Sequence, residues 1–260
     1  MNLDSSEFTT HNVASNFKLP ENLDYFALTA SPNTRICRNE LSRDQTTAPM
    51  MLTRLSHPLV VAEVTITADF EMEWDQAGLI VFTGAPPSQT PPSPAVRRRR
   101  YQSREEDVQE GKWVKAGLEF TAGAMNASSV VASSASGGDW SLSPLLYSEL
   151  IQDSYDSISF SLRIKFERIG DALWIWYRNA DGSSVSVPRT PEAIHAEWRK
   201  LREVNGFFRG VDLKGDVWVG CYASRPVHFV ATDDWDERFG LPESGEGRGL
   251  TVEFEDLEIL

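Results

Sequence analysis

Along most of this chain apolar and polar residues alternate with period two, the mark of strands that bury one face. From Val60 to Phe70, the residues Val60, Ala62, Val64, Ile66 and Ala68 fall on one side. Val61, Glu63, Thr65, Thr67 and Asp69 fall on the other. From Ile158 to Ile164, the residues Ile158, Phe160, Leu162 and Ile164 form the apolar side. The same pattern predicts strands at Gln76–Phe82, Trp113–Thr121, Ser129–Ser134, Ala172–Arg178, Asp216–Ala223 and Leu250–Glu255. Asn179-Ala180-Asp181-Gly182 predicts a turn, because glycine supplies the positive φ of a tight hairpin. One segment has helical spacing: Thr190-Pro191-Glu192 offers a cap and a first-turn proline, and Ile194, Trp198 and Leu201 follow at steps of four and three. Many strands and one late helix predict an all-β antiparallel sandwich with one short helix, not βαβ units.

Two segments interrupt the alternation. Ala85 to Glu110 carries five prolines, then Arg97-Arg98-Arg99-Arg100 and an acidic run, and predicts a mobile insertion loop. Thr232 to Gly249, acidic and glycine-rich, predicts a second long loop. A chain of 260 residues fits one large all-β domain, which we expect to span residues 1–260. Such a chain buries roughly 70% of its unfolded surface and needs no covalent staple. Its two cysteines, Cys37 and Cys221, have no zinc-type spacing and suit a reducing compartment.

The formal net charge of −13 argues against nucleic acid and anionic membranes as partners. Met1 to Glu7 lacks the features of a signal peptide and no apolar run reaches a membrane span, so a cytoplasmic protein is expected. Asn126-Ala127-Ser128 reads as an accidental glycosylation sequon. The four histidines, His11, His57, His195 and His228, are isolated in sequence, and no nucleotide fingerprint or nucleophile elbow occurs. The expectation is a protein without metal or cofactor.

Four strings taken together are more specific. They are Asp75-Gln76-Ala77-Gly78-Leu79, Trp113-Val114-Lys115-Ala116-Gly117-Leu118-Glu119, Asp139-Trp140-Ser141 and Val219-Gly220-Cys221-Tyr222-Ala223-Ser224. In this order the chain resembles the fungal and bacterial family named after the yeast regulation-of-enolase protein, a domain family of unknown function. The resemblance covers roughly Pro20 to Leu260. It implies a concanavalin-A-like jelly roll of two antiparallel sheets, one concave and lectin-like. The family usually carries Thr-Asp followed by aromatics near the N-terminus. Here the matching stretch is Asn33-Thr34-Arg35-Ile36-Cys37-Arg38.

Alternation sorts the motif residues by face. Val114, Ala116, Leu118 and Phe120 form one set, leaving Trp113, Lys115, Gly117 and Glu119 opposite. Ala77, Leu79 and Val81 leave Gln76, Gly78 and Ile80; Val217, Val219, Cys221 and Ala223 leave Trp218, Gly220, Tyr222 and Ser224. Glycine weakens a strand unless a ligand or another backbone comes close. Gly78, Gly117 and Gly220 therefore either make a trough edged by Trp113, Trp218 and Tyr222 and floored by Gln76, Lys115 and Glu119, or ease curvature and packing. Lys115 and Glu119 stand four apart, out of mutual reach along a strand without a cross-strand partner, and are either acid–base groups or part of a solvated face. Asp139-Trp140-Ser141 predicts a turn, with Asp139 capping it or holding a ligand hydroxyl. Glu71, Glu73 and Asp75 have the spacing of paired glycosidase acids, yet a hairpin is the expectation there.

Three functions follow. The first is a binding module holding a carbohydrate or similar small molecule on the concave face through Gln76, Gly78, Trp113, Gly117, Asp139, Trp140, Trp218 and Gly220. The second is a cofactor-free isomerase or cyclase using Lys115, Glu119, Tyr222 or Arg202 for proton transfer. The third is a regulatory module that binds another protein.

Overall fold

The computed structural model describes residues 5–38, 44–84, 111–132, 137–145, 159–180, 198–211, 217–227 and 248–260. A 3-10 turn at Ser5–Glu7 precedes fifteen strands. The first seven are β1 (Phe8–His11), β2 (Tyr25–Ala30), β3 (Ile36–Arg38), β4 (Asp44–Thr46), β5 (Met50–Arg54), β6 (Val61–Ala68) and β7 (Gln76–Thr83). Four more are β8 (Lys112–Thr121), β9 (Ala124–Ala132), β10 (Asp139–Pro144) and β11 (Phe160–Ile169). The chain ends with β12 (Ala172–Asn179), β13 (Arg199–Val204), β14 (Val217–Ser224) and β15 (Leu250–Ile259). Among the described residues no helix is long and apolar enough to cross a membrane.

The strands form the expected concanavalin-A-like antiparallel β-sandwich. Seven strands run in the order β1-β5-β14-β7-β8-β9-β10, six in the order β13-β12-β11-β6-β15-β2, and β3 pairs with β4 in a separate ribbon. The interior is filled by the alternating apolar sets. Ala77, Leu79 and Val81 of β7, Val114, Ala116 and Leu118 of β8, and Val219 and Cys221 of β14 meet Ala62, Val64 and Ile66 of β6 and Leu162, Ile164 and Phe166 of β11. The register read from the sequence holds: Val114 and Lys115 stand on opposite faces.

The outer face of the seven-stranded sheet is also buried, contrary to the solvated face that alternation alone suggests. Ile80 and Phe82, Trp113, Tyr222, Met50 and Leu52 form a second apolar cluster there, closed by Ile36 and Ala48. The ribbon is fastened over this layer by Arg38. Its guanidinium donates to both carboxylate oxygens of Asp44, at 2.8 and 2.9 Å, and to the Gly111 carbonyl at 2.6 Å. Trp113 Nε1 donates to the same Asp44 at 2.9 Å. The ribbon contributes only three residues per strand, so apolar burial and this charged clasp, rather than its own ladder, keep it in place.

Several sequence expectations change. Leu201 lies in β13, not on a helix, while residues 190–197 lie outside the described residues. Trp198, just before β13, contacts Lys165 Nζ at 4.6 Å and Arg178 at 5.2 Å from its ring centre. With Trp174, Trp176 and Lys200 it coats the outer face of the six-stranded sheet with rings capped by cations. Asp139-Trp140-Ser141 begins strand β10 instead of forming a turn, because β9 offers its free edge to pair with it. The segment between β6 and β7 is no hairpin: the two strands belong to different sheets. The 85–110 insertion lies outside the described residues, as does 232–247 of the second loop.

The acidic crossing from β6 to β7 is pinned from inside. Asp75 and Arg225 form a bidentate ion pair at 2.7 and 2.9 Å, with side chains essentially inaccessible. Asp75 also accepts the Glu71 and Met72 amides, and Arg225 Nη1 reaches the Arg248 carbonyl at 2.6 Å. Removing one partner leaves the other charge buried. Asp75→Ala should lower the unfolding free energy by about 3–5 kcal/mol, whereas Asp75→Leu with Arg225→Met should lose much less. Urea denaturation of wild type, single and double variants measures this; equal losses would show that the pair does not act as a unit.

Candidate functional site

A pocket of about 380 Å³ opens on the outer face of the seven-stranded sheet, between β7 and β8 and the β3–β4 ribbon. Its polar floor comes from β7 and β8, whose register sets Gln76 opposite Glu119 and Ile80 opposite Lys115. Gln76, Lys115 and Glu119 are 8, 4 and 1% exposed. The cross-strand partner that Lys115 and Glu119 require is Gln76. Lys115 Nζ donates to Gln76 Oε1 at 2.6 Å, and the Gln76 side chain in turn bonds the Glu119 carboxylate. The mouth is aromatic: Trp74 and Trp140 both line it, each 48% exposed. Trp140 Nε1 donates to Glu119 Oε2 at 3.1 Å, which fixes that ring over the floor. Arg35, Cys37 and Arg38 form the ribbon wall, and Ser224 and Pro226 the far side.

Burial governs the electrostatics. The Lys115 amine is pushed down to about 8 by desolvation, against the opposing pull of Glu119 and Cys37. Desolvation raises Glu119, while hydrogen bonds from Ser128 and Trp140, the Lys115 charge and Gln76 hold it back. Lys115 also rests 5.4 Å from the centre of the Tyr222 ring. Tyr222 itself is wholly buried, its hydroxyl well above the ordinary phenol range and without a hydrogen-bond partner among the described residues. It supports Lys115 from below rather than lining the pocket.

Of the residues singled out in the sequence, Gln76, Lys115, Glu119 and Trp140 come together in the pocket. Trp113 is fully buried in the layer under the ribbon, and Trp218 packs at that layer's margin, so neither edges a trough. Asp139 and Arg202 pair with each other outside the pocket lining, tying β10 to β13 across the edges of the two sheets. Gly78 and Gly117 face each other across β7 and β8, and Gly220 faces Leu52 of β5. A Cβ on Gly117 would stand 1.9 Å from the Ala77 carbonyl oxygen, on Gly78 2.0 Å from that of Ala116, and on Gly220 1.9 Å from that of Met51. The close approach at these glycines is by neighbouring strands.

The three acids between β6 and β7 each have structural work. Asp75 binds Arg225, and Glu73 accepts Thr121 Oγ1 and the Ala122 amide at the β8–β9 turn. Glu71 faces Arg248 at 3.8 Å. None lines the pocket, which removes the paired-acid arrangement from this site. Several lining residues lie outside the set expected from sequence, Trp74 and Arg35 foremost among them. Trp74 falls in the segment where a hairpin is expected, and its one sequence signal is a lone tryptophan among acidic residues. It has φ 66°, a strained value for a bulky residue, held by the hydrogen bond its backbone N–H donates to the Phe120 carbonyl and by the Asp75 pair next to it. Arg35 belongs to the stretch that departs from the family pattern, so its signal was that departure.

The sequence matches the family described as "Protein of unknown function (DUF1349)" over residues 16–260. The chain belongs to this family. An uncharacterized protein of Emericella nidulans is 26% identical over 204 residues, 77% of each chain. Among solved structures, a functionally unknown protein from Saccharomyces cerevisiae superposes with a TM-score of 0.56 at 16% identity, covering 99% of this chain and 98% of that one. A GH43 protein from Bacillus licheniformis gives 0.52 at 12% identity, covering 99% of this chain and 40% of that longer one. At these identities the superpositions establish a shared fold.

Two outcomes test this geometry. Gly117→Val should destabilise the fold by at least about 1–3 kcal/mol, since backbone must move to admit the side chain; an unchanged melting temperature would restore the open-trough reading. For Lys115, the folded amine releases its proton near pH 8, while the unfolded one holds it to about 10.5. The unfolded state then binds more protons between those values, so this group adds stability as pH rises through the window. Wild type should gain on Lys115→Met by up to about 3 kcal/mol from pH 8 to 10.5, read by urea unfolding; parallel profiles would place the amine in water.

Proposed function

We propose that this protein binds a carbohydrate in the pocket beneath the β3–β4 ribbon. The observation that carries the reading is the pairing of two half-exposed indoles, Trp74 and Trp140, with a buried polar floor of Gln76, Lys115 and Glu119. A sugar ring has C–H faces that pack on an indole and a rim of hydroxyls that needs fixed hydrogen-bonding groups. Sites of this kind combine apolar walls with a few placed polar groups. The volume of about 380 Å³ suits one or two sugar units. The strained backbone of Trp74 supports the same reading, because strain of this sort gathers where a side chain must be presented to a ligand.

One observation favours a second reading, a cofactor-free isomerase or cyclase. Lys115, with its amine at about 8, sits near neutrality and is linked through Gln76 to a carboxyl group raised by burial. Such a pair can pass a proton to and from a bound substrate. Product formation from a bound sugar, lost in Lys115→Met while binding persists, would select it. Within the family, the four motif strings support the narrower resemblance to the regulation-of-enolase group. The two unbridged cysteines, Cys37 and Cys221, support a reducing, cytoplasmic setting.

The test uses the tryptophans both as probes and as targets. Titrating a panel of mono- and disaccharides should change the intrinsic fluorescence, and Trp140→Ala should weaken binding about tenfold or more. Trp74→Gly should weaken it likewise while altering stability by less than about 1 kcal/mol, because glycine relieves the positive φ. A panel without a single ligand, or full affinity in both variants, would overturn the reading.

A further inference from the structure

The hydrogen-bonding capacity of this pocket is lopsided. Its acceptors are in use. The Glu119 carboxylate accepts from Trp140 at 3.1 Å and from Ser128 and Gln76, and Gln76 Oε1 accepts from Lys115. Asp44, behind the ribbon wall, is shared between Arg38 and Trp113. Ser224 Oγ is turned to the Thr34 carbonyl at 2.8 Å.

Two of the pocket's donors, Lys115 and Arg35, are only partly in use. An ammonium carries three N–H groups, and Lys115 has one hydrogen-bond acceptor, Gln76, among the described residues. A guanidinium carries five. Arg35 makes one long hydrogen bond among the described residues, from Nη2 to the Pro226 carbonyl at 3.5 Å. Of the three cationic side chains in the lining, only Arg38 is matched by a carboxylate of its own. Glu119 opposes one of the other two charges, and burial weakens even that opposition by favouring its protonated form. The pocket is thus a cationic, donor-rich spot within a chain of formal net charge −13. A cation walled off from water with donors to spare is stabilised most by an anion with several acceptor oxygens, and the planar fork of arginine fits an oxyanion two bonds at a time.

We propose that the sugar held here carries an oxyanion, the carboxylate of a uronic acid or the phosphate of a sugar phosphate, clamped between Arg35 at the wall and Lys115 at the floor. This rests on the carbohydrate reading and names the class of sugar. Trp74 and Trp140 take the ring, and the charged arm points to the cations. Arg35 suits this selective role because its fold contacts are made by its backbone: its amide donates to Thr47 Oγ1 at 2.9 Å, and its carbonyl accepts the amides of Thr47 and Ala48. Its side chain spends one long hydrogen bond on Pro226 and keeps its remaining donors for the ligand.

The experiment is isothermal titration at pH 7 and constant ionic strength. It uses D-galacturonate, D-glucuronate, glucose 6-phosphate, D-galactose and D-glucose with wild type, Arg35→Gln and Arg35→Lys. At least one acidic sugar should bind at least about tenfold tighter than its neutral parent. Arg35→Gln should abolish that preference, costing the acidic sugars at least about tenfold more affinity than the neutral ones, with the melting temperature as the control for folding. Arg35→Lys should keep part of it. The carboxylate and phosphate arms identify the oxyanion. Neutral sugars binding as tightly as acidic ones, or a preference that survives Arg35→Gln, would overturn the proposal and leave the carbohydrate reading standing. Sugars of neither kind binding would overturn both.

Discussion

The pocket exists because one buried ion pair holds three separate stretches of chain together. A carboxylate and a guanidinium removed from water are stable only when each hydrogen-bonding group finds a partner. Asp75 and Arg225 meet that condition through two mutual bonds, two amides of the β6–β7 crossing and the Arg248 carbonyl. The backbone of Arg225 then bonds Thr34 in both directions, which carries the chain towards the ribbon. Residues beside this node border the site: Trp74 and Gln76 next to Asp75, Ser224 and Pro226 next to Arg225, and Arg35 next to Thr34. The ion pair is structural, yet it sets the positions of side chains that line the pocket.

Lys115 shows how the second apolar layer shapes chemistry. On an ordinary outer sheet face it would be a hydrated charge. Here the ribbon and the rings of Trp113 and Tyr222 exclude water around it, and its amine falls to about 8. Gln76 then becomes the link between amine and carboxyl, because its register position places it opposite Glu119 and its side chain reaches Lys115. The polar floor is therefore a three-residue chain crossing two strands.

The sandwich was legible in the sequence because its interior is apolar at every second residue, as in Ala77, Leu79 and Val81 or Val114, Ala116 and Leu118. The covering of the outer face was harder to read. Ile80, Phe82, Trp113 and Tyr222 interrupt the polar set of their strands, a sign of burial on both faces that alternation alone does not weigh. Trp198 and Leu201 misled because a spacing of three imitates a helix, whereas the cations of Lys165 and Arg178 draw the Trp198 ring outward beside a strand. At the site, Gln76, Lys115, Glu119 and Trp140 could be sorted from local pattern. Trp74 and Arg35 could not, since their places depend on contacts reaching from residue 34 to residue 225.

The ribbon belongs to neither large sheet, and this separates the body of the sandwich from one wall of its pocket. Strands β7, β8 and β14 are committed on both faces, so a change there disturbs the body. Arg35 and Cys37 lean on the site with side chains that the sandwich does not require. Selection can rewrite that short wall while the scaffold keeps its shape. The yeast structure shares this architecture at 16% identity, so the scaffold keeps its shape through wide change in sequence.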